Sequence, residues 1–199
     1  ETYGLGTGAA VADIDNDGVK EIFLGGSKGI SASIYNLRTG NKINNISIFK
    51  EAKISEDSES IFFDADNDGL KDIFITNGIF KRPNDLDFIN FQSNVLYENY
   101  TGDDDKLEQD LIDQMPMLKL SNTLFLQESE FNFRMLGESI GIPPSYSNGS
   151  AVSDLDNDGD LDLVSNNINE EAQILENQSN NLNNSFIKLL LLITSLYNY

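Results

Sequence analysis

Phe63-Asp64-Ala65-Asp66-Asn67-Asp68-Gly69-Leu70-Lys71-Asp72-Ile73-Phe74-Ile75 is the stretch on which the fold turns. Aspartates alternate from Asp64 to Asp68, a glycine follows at the sixth position, and a further carboxylate stands at the ninth. The same pattern recurs without gaps from Ala12 to Leu24 and from Ser153 to Ser165, and all three copies share D-x-D-N-D-G-x-x-[DE]. Their first aspartates, Asp13, Asp64 and Asp154, lie 51 and then 90 residues apart. One repeat of about 45 to 50 residues has therefore lost its motif or taken an insertion, and that period suits a four-stranded propeller blade.

Short runs of β-forming residues flank each loop, as with Ile61-Phe62-Phe63 before the second and Ile73-Phe74-Ile75-Thr76 after it. Strand, acidic loop, strand is the local expectation. Gly25-Gly26, Asn77-Gly78 and Asn166-Asn167 follow at matching distances, where a tight turn or strand end favours residues tolerant of positive φ. Between Pro83 and Pro116 the texture changes: Asp103-Asp104-Asp105 precedes Leu107, Leu111, Ile112 and Met115 at helical spacing, which predicts an insertion at about 84–117 with a short helix. The strand pattern resumes near Thr123-Leu124-Phe125-Leu126 and Phe131-Asn132-Phe133-Arg134, consistent with a blade that lacks an acidic loop. Residues 178–199 open on an Asn- and Ser-rich linker.

The acidic loops describe a cage for a hard cation. Oxygen ligands on alternate residues, a glycine for the sharp turn and a carboxylate at the ninth position suit calcium. The first loop offers Asp13, Asp15, Asp17 and Glu21 with the Val19 carbonyl; the second offers Asp64, Asp66, Asp68 and Asp72 with the Leu70 carbonyl. The third offers Asp154, Asp156, Asp158 and Asp162 with the carbonyl of Asp160. Magnesium favours a stricter octahedron that keeps its waters, and zinc wants nitrogen or sulfur, which a chain with no His and no Cys does not offer. An EF-hand needs a bidentate Glu at position twelve and helical flanks, whereas position twelve here is Leu24, Ile75 or Ser165 between strands. A solvated acidic turn explains any single loop. It does not explain three in register.

The chain has 199 residues, 13 Lys and Arg against 33 Asp and Glu, and a formal charge of -20. Such a surplus repels phosphate backbones and anionic headgroups, so nucleic acid is not an expected partner. Three divalent ions would bring the formal charge from -20 to -14. The longest apolar stretch, Leu189 to Ile193 within Phe186 to Leu196, is short of the roughly 20 residues a membrane helix needs, so no membrane insertion is expected. The chain opens at Glu1 without a charged and apolar leader, and an export signal is expected upstream or already removed.

On these loops, the chain resembles the FG-GAP or VCBS repeat proteins, whose blades carry calcium loops in propellers like the head of integrin α-subunits. Ser60 to Gly69, Thr76-Asn77-Gly78-Ile79 and Ser147 to Leu163 look like the bacterial ASPIC/UnbV branch, related to cartilage acidic protein. The resemblance covers most of residues 1–177. It implies an all-β fold of four-stranded blades, here an incomplete propeller. Asn184-Ser185-Phe186-Ile187-Lys188-Leu189 is similar to the strand that opens the C-terminal module, expected to be truncated within 178–199. Glu21 departs from the usual Asp. Export to the cell surface, periplasm or medium, and adhesion or recognition of a protein or glycan, are what the resemblance implies.

An enzyme is the alternative reading, since some propellers house glycosidases or lyases with paired carboxylates. Most clustered acids are already assigned as ligands, and no nucleophile elbow is recognisable. Tyr35, Phe80, Phe88, Phe91, Tyr97 and Tyr100 are expected in the core; exposed together on one face, they would suit sugar stacking.

Overall fold

A computed structural model describes residues 8–27, 29–44, 46–51, 57–78, 80–81, 88–93, 104–136 and 141–179. Most of their regular structure lies in three antiparallel sheets. The first holds β1 (Ala9–Ala12), β2 (Glu21–Leu24) and β3 (Ser33–Asn36), followed by the one-turn helix α1 (Ile48–Glu51). The second holds β4 (Glu59–Phe63), β5 (Asp72–Thr76), β6 (Thr123–Ser129) and β7 (Asn132–Met135), with helical residues 88–93 (α2) and α3 (Asp104–Gln114) between β5 and β6. The third holds β8 (Ser147–Ser153), β9 (Asp162–Asn167) and β10 (Gln173–Leu175). Each sheet is laid down in chain order, strand beside strand.

The acidic motifs occupy one place in this scheme. Each connects the first and second strands of its sheet, and each is closed by the same register pair: Ala12 opposite Glu21, Phe63 opposite Asp72, Ser153 opposite Asp162. The residue before the first Asp thus always faces the ninth.

Alternation along the second sheet places its side chains on two faces, because successive strand residues point to opposite sides. Ile73, Ile75, Phe125 and Phe133 meet Phe23 and Ile34 of the first sheet in one core; Phe74, Leu124 and Leu126 meet Leu163 and Leu175 of the third in another. β5 is buried along its whole length for this reason. Phe49 of α1 fills the first core, edge-on to Phe23 at 5.5 Å and to Phe125 at 5.2 Å. Aromatic pairs of this geometry add about 0.5–1.5 kcal/mol each beyond their buried area.

The first strands of successive sheets lie against one another, β1 on β4 and β4 on β8. Hydrogen bonds tie neighbouring sheets. Gly8 N–H donates to Asp57 O (3.2 Å), Gly78 N–H to Ser147 O (2.8 Å), and Ser150 N–H to the Glu59 carboxylate.

Three expectations are corrected. The segments Thr123 to Leu126 and Phe131 to Arg134 form no separate blade: they are the third and fourth strands of the second sheet, and the long spacing comes from the insertion between β5 and β6. Only that sheet is four-stranded; among the described residues the other two have three strands each. Gly25 and Gly78 do not adopt positive φ. They stand where backbones nearly touch, and a Cβ on Gly78 would lie 1.9 Å from Ser147 N. The expected helix is present as α3. Of the C-terminal segment expected at 178–199, residues from 180 onward lie outside the described residues.

Candidate metal centres

The three loops repeat one set of hydrogen bonds. The sixth-position amide donates to the first aspartate: Gly18 N–H to Asp13 Oδ2 (3.0 Å), Gly69 N–H to Asp64 Oδ2 (2.9 Å), Gly159 N–H to Asp154 Oδ2 (3.2 Å). The seventh residue donates to the fifth: Val19 N–H to Asp17 Oδ1 (2.7 Å), Leu70 N–H to Asp68 Oδ1 (2.8 Å), Asp160 N–H to Asp158 Oδ1 (3.1 Å). The second residue donates to the ninth: Ile14 N–H to Glu21 Oε2 (3.0 Å), Ala65 N–H to Asp72 Oδ2 (2.7 Å), Leu155 N–H to Asp162 Oδ2 (2.8 Å). Carboxylates of positions one, five and nine thereby hold the loop backbone, and short polar side chains bonding nearby amides are what bend such a turn.

Two left-handed residues make the bend. Asn16, Asn67 and Asn157 at position four have φ of 58°, 57° and 63°, and Gly18, Gly69 and Gly159 at position six have 83°, 89° and 97°. Asn and Gly tolerate that region better than other residues. The glycine's role was legible from the motif. The asparagine's is marked in the sequence only by its presence in all three copies.

Carboxylate oxygens converge inside each loop. In the first, those of Asp13, Asp15 and Asp17 lie within 4.8 Å of one another; in the second, those of Asp64, Asp66 and Asp72; in the third, those of Asp154, Asp156 and Asp162. Glu21, Asp68 and Asp158 stand outside these groups. Glu21 is fully buried, and its longer arm takes its second oxygen to Asn36 Nδ2 (2.9 Å) on β3. Asp72 and Asp162, also buried, instead accept from backbone amides at the third strand, Gln127 N–H (2.7 Å) and Asn177 N–H (2.8 Å).

Burial, and after it like charge, opposes ionisation of several of these carboxyls. Burial pushes the Asp72 carboxyl up to about 7, against the N–H donors of Gln127 and Ala65 that favour its charged form, with the Asp66 and Asp68 charges adding to the rise. Burial likewise raises Glu21 and Asp66, helped by Asp15 and Asp68 respectively. Asp13 Oδ1 and Asp66 Oδ1 are buried oxygens with no hydrogen-bond partner. A buried acceptor left unmet costs about 1–3 kcal/mol. A cation in each of these two loops, between the converging carboxylates, would meet that loop's oxygen and offset the like-charge repulsion. All donors are oxygen, so the loops fit a hard divalent ion rather than a soft one.

Of the aromatic residues, Phe88 is buried, Tyr35 and Phe80 are half-buried, and Phe91 is exposed. Phe80 packs edge-on to Tyr146 at 5.0 Å. Tyr97 and Tyr100 lie outside the described residues. No helix among the described residues is long and apolar enough to cross a membrane.

The fold and site define a mostly β chain of three antiparallel sheets with an acidic hairpin loop on each that could hold a metal ion. No protein-family model and no curated protein matches the chain, so the loops are read from their own geometry.

Proposed function

We propose that this chain is a calcium-binding repeat module of the FG-GAP or VCBS kind, with residues 1–177 forming blades of an incomplete β-propeller and about three calcium ions in the first hairpins. The observation that carries the reading is the recurrence of one loop, with the same two left-handed residues and the same hydrogen bonds, at the same place in three successive sheets. Chance acidic turns have no reason to share a register.

Calcium is structural in this reading. The loops carry carboxylates whose burial, and then mutual repulsion, opposes folding, and an ion bound only by the folded chain stabilises it by mass action. Millimolar calcium outside the cell keeps even weak oxygen-ligand sites filled, which favours an exported protein at the cell surface, in the periplasm or in the medium. The proposed role is adhesion or recognition of a protein or glycan through loops that the ions hold in shape. A binding module is favoured over an enzyme because the clustered acids are engaged in holding loop backbone.

Calorimetric titration of the metal-stripped chain with calcium, alongside thermal unfolding, tests the reading. Binding near three equivalents with a raised Tm is expected, and one equivalent is lost when Asp64→Ala and Asp66→Ala are combined. Absence of binding at millimolar calcium would reduce the loops to acidic turns.

A further inference from the structure

The loops are joined through two buried side-chain amides. Gln127 of β6 is 1% exposed, and its backbone N–H holds Asp72 Oδ1 of the second loop (2.7 Å) while its Oε1 accepts from Lys71 N–H (3.0 Å). Its Nε2 then crosses to the first sheet and donates to Ile14 O (3.1 Å), inside the first loop. Asn177, after β10 and 2% exposed, repeats the arrangement one sheet on. Its N–H holds Asp162 Oδ1 (2.8 Å), and its Nδ2 donates to Leu161 O (3.2 Å) in the third loop and to Ala65 O (2.9 Å) in the second.

Ile14 and Ala65 are both second residues of their loops, and the peptides so gripped are those that lead into Asp15 and Asp66. Ala65 also donates its own N–H to Asp72. One path of hydrogen bonds therefore runs from Ile14 through Gln127, Asp72, Ala65 and Asn177 to Asp162.

We infer that Gln127 and Asn177 are positioning residues that couple neighbouring cation loops, so that an ion in one raises the affinity of the next. The inference rests on the calcium reading above. An ion in the second loop fixes Asp72; Asp72 fixes the β6 backbone at Gln127; the Gln127 amide fixes the peptide before Asp15, pre-ordering the first loop for its own ion. Asn177 does the same between the second and third loops. Coupling of this kind is reciprocal, since each ion affects the other's affinity by the same factor. Among the described residues the chain of joints stops at the third loop, whose second residue, Leu155, is 50% exposed where Ile14 is 0% and Ala65 is 3%. The second loop, joined on both sides, is the centre of the coupling.

Backbone amide resonances of Gly18, Gly69 and Gly159, each bonded to the first aspartate of its loop, let the three sites be titrated separately with calcium by NMR on the full chain. Emptying the second loop with Asp64→Ala and Asp66→Ala together should shift the calcium midpoints at Gly18 and Gly159 upward by roughly five- to tenfold. In a Gln127→Met background the shift at Gly18 should vanish while that at Gly159 persists; in an Asn177→Leu background the pattern reverses. A merely structural role would weaken all sites together and leave the pattern untouched. Should one variant fail to fold in calcium, the other joint decides the matter. Unchanged midpoints at Gly18 and Gly159 after the second loop is emptied would overturn the coupling and leave the calcium reading standing. No calcium response at any of the three glycines would overturn both.

Discussion

The metal-free chain should lose stability as pH rises, the reverse of what paired surface carboxylates produce. Asp72 ordinarily titrates near 3.8 and is pushed up to about 7 in the fold, chiefly by burial. A carboxyl with a raised folded-state pKa binds more protons folded than unfolded, so its contribution is fully present below its ordinary pKa and is lost as pH climbs through the folded value. The window thus opens near 3.8 and closes just above 7. Between pH 5 and 8 linkage gives a loss of about 2–3 kcal/mol from this one group. Glu21 and Asp66 shift in the same direction and add to it. Calcium reverses the slope, because the ion selects the ionised carboxylates and binds better as protons leave. The assay is urea unfolding of chelator-treated protein at a series of pH values, with and without saturating calcium. A fall in midpoint of about 1 M urea is expected without calcium. The general self-repulsion of a chain with formal charge -20 has the same sign. Two controls separate them: added salt screens exposed charges far more than buried ones, and Asp72→Asn removes the buried titration. A metal-free stability that stays flat or rises from pH 5 to 8, or a slope left intact in Asp72→Asn at high salt, would refute the electrostatic account of the loops.

Two further outcomes test the backbone arguments. Gly78→Ala puts a Cβ 1.9 Å from Ser147 N and 2.1 Å from Tyr146 C, both backbone atoms that cannot swing aside. It should cost about 3 kcal/mol or more, read as a drop in Tm with calcium present. Asn16 holds φ at 58°, so Asn16→Gly should leave stability within about half a kcal/mol, whereas Asn16→Val should cost about 1–2 kcal/mol and weaken cation binding at the first loop.

Much of the local structure was legible because it is written in local pattern. The strands beside each loop follow from β-formers such as Ile73-Phe74-Ile75, and the helix Asp104–Gln114 follows from apolar spacing at Leu111, Ile112 and Met115. The assignment of β6 and β7 to the second sheet was not legible. It depends on Ile73 pairing with Phe125 across the insertion, a choice made by which apolar faces fill which core rather than by any residue nearby in sequence. The glycines after β2 and β5 misled for a related reason. A glycine needed for close approach and one needed for positive φ look the same in one dimension, and only the neighbours, the Asp57 side chain and Gly8 carbonyl for Gly25 and the Ser147 backbone for Gly78, tell them apart.

The candidate site divides along the same line. Every carboxylate of the loops could be named from spacing, since a hairpin loop of fixed length brings its own alternating residues together. Which of them converge could not be. Glu21 is one methylene longer than Asp72 and Asp162, and that single difference trades a backbone amide of the third strand for the Asn36 side chain. Neither Gln127 nor Asn177 is marked in the sequence, where a lone amide in a strand reads as surface and Asn177 opens an Asn-, Ser- and Gln-rich run that reads as linker. Their burial, and the reach of each from one loop to the next, arise only when sheet packs on sheet. A feature of this kind belongs to the stacking of repeats rather than to any repeat alone. For the same reason its loss is expected to change how the loops answer one another before it changes whether each can bind.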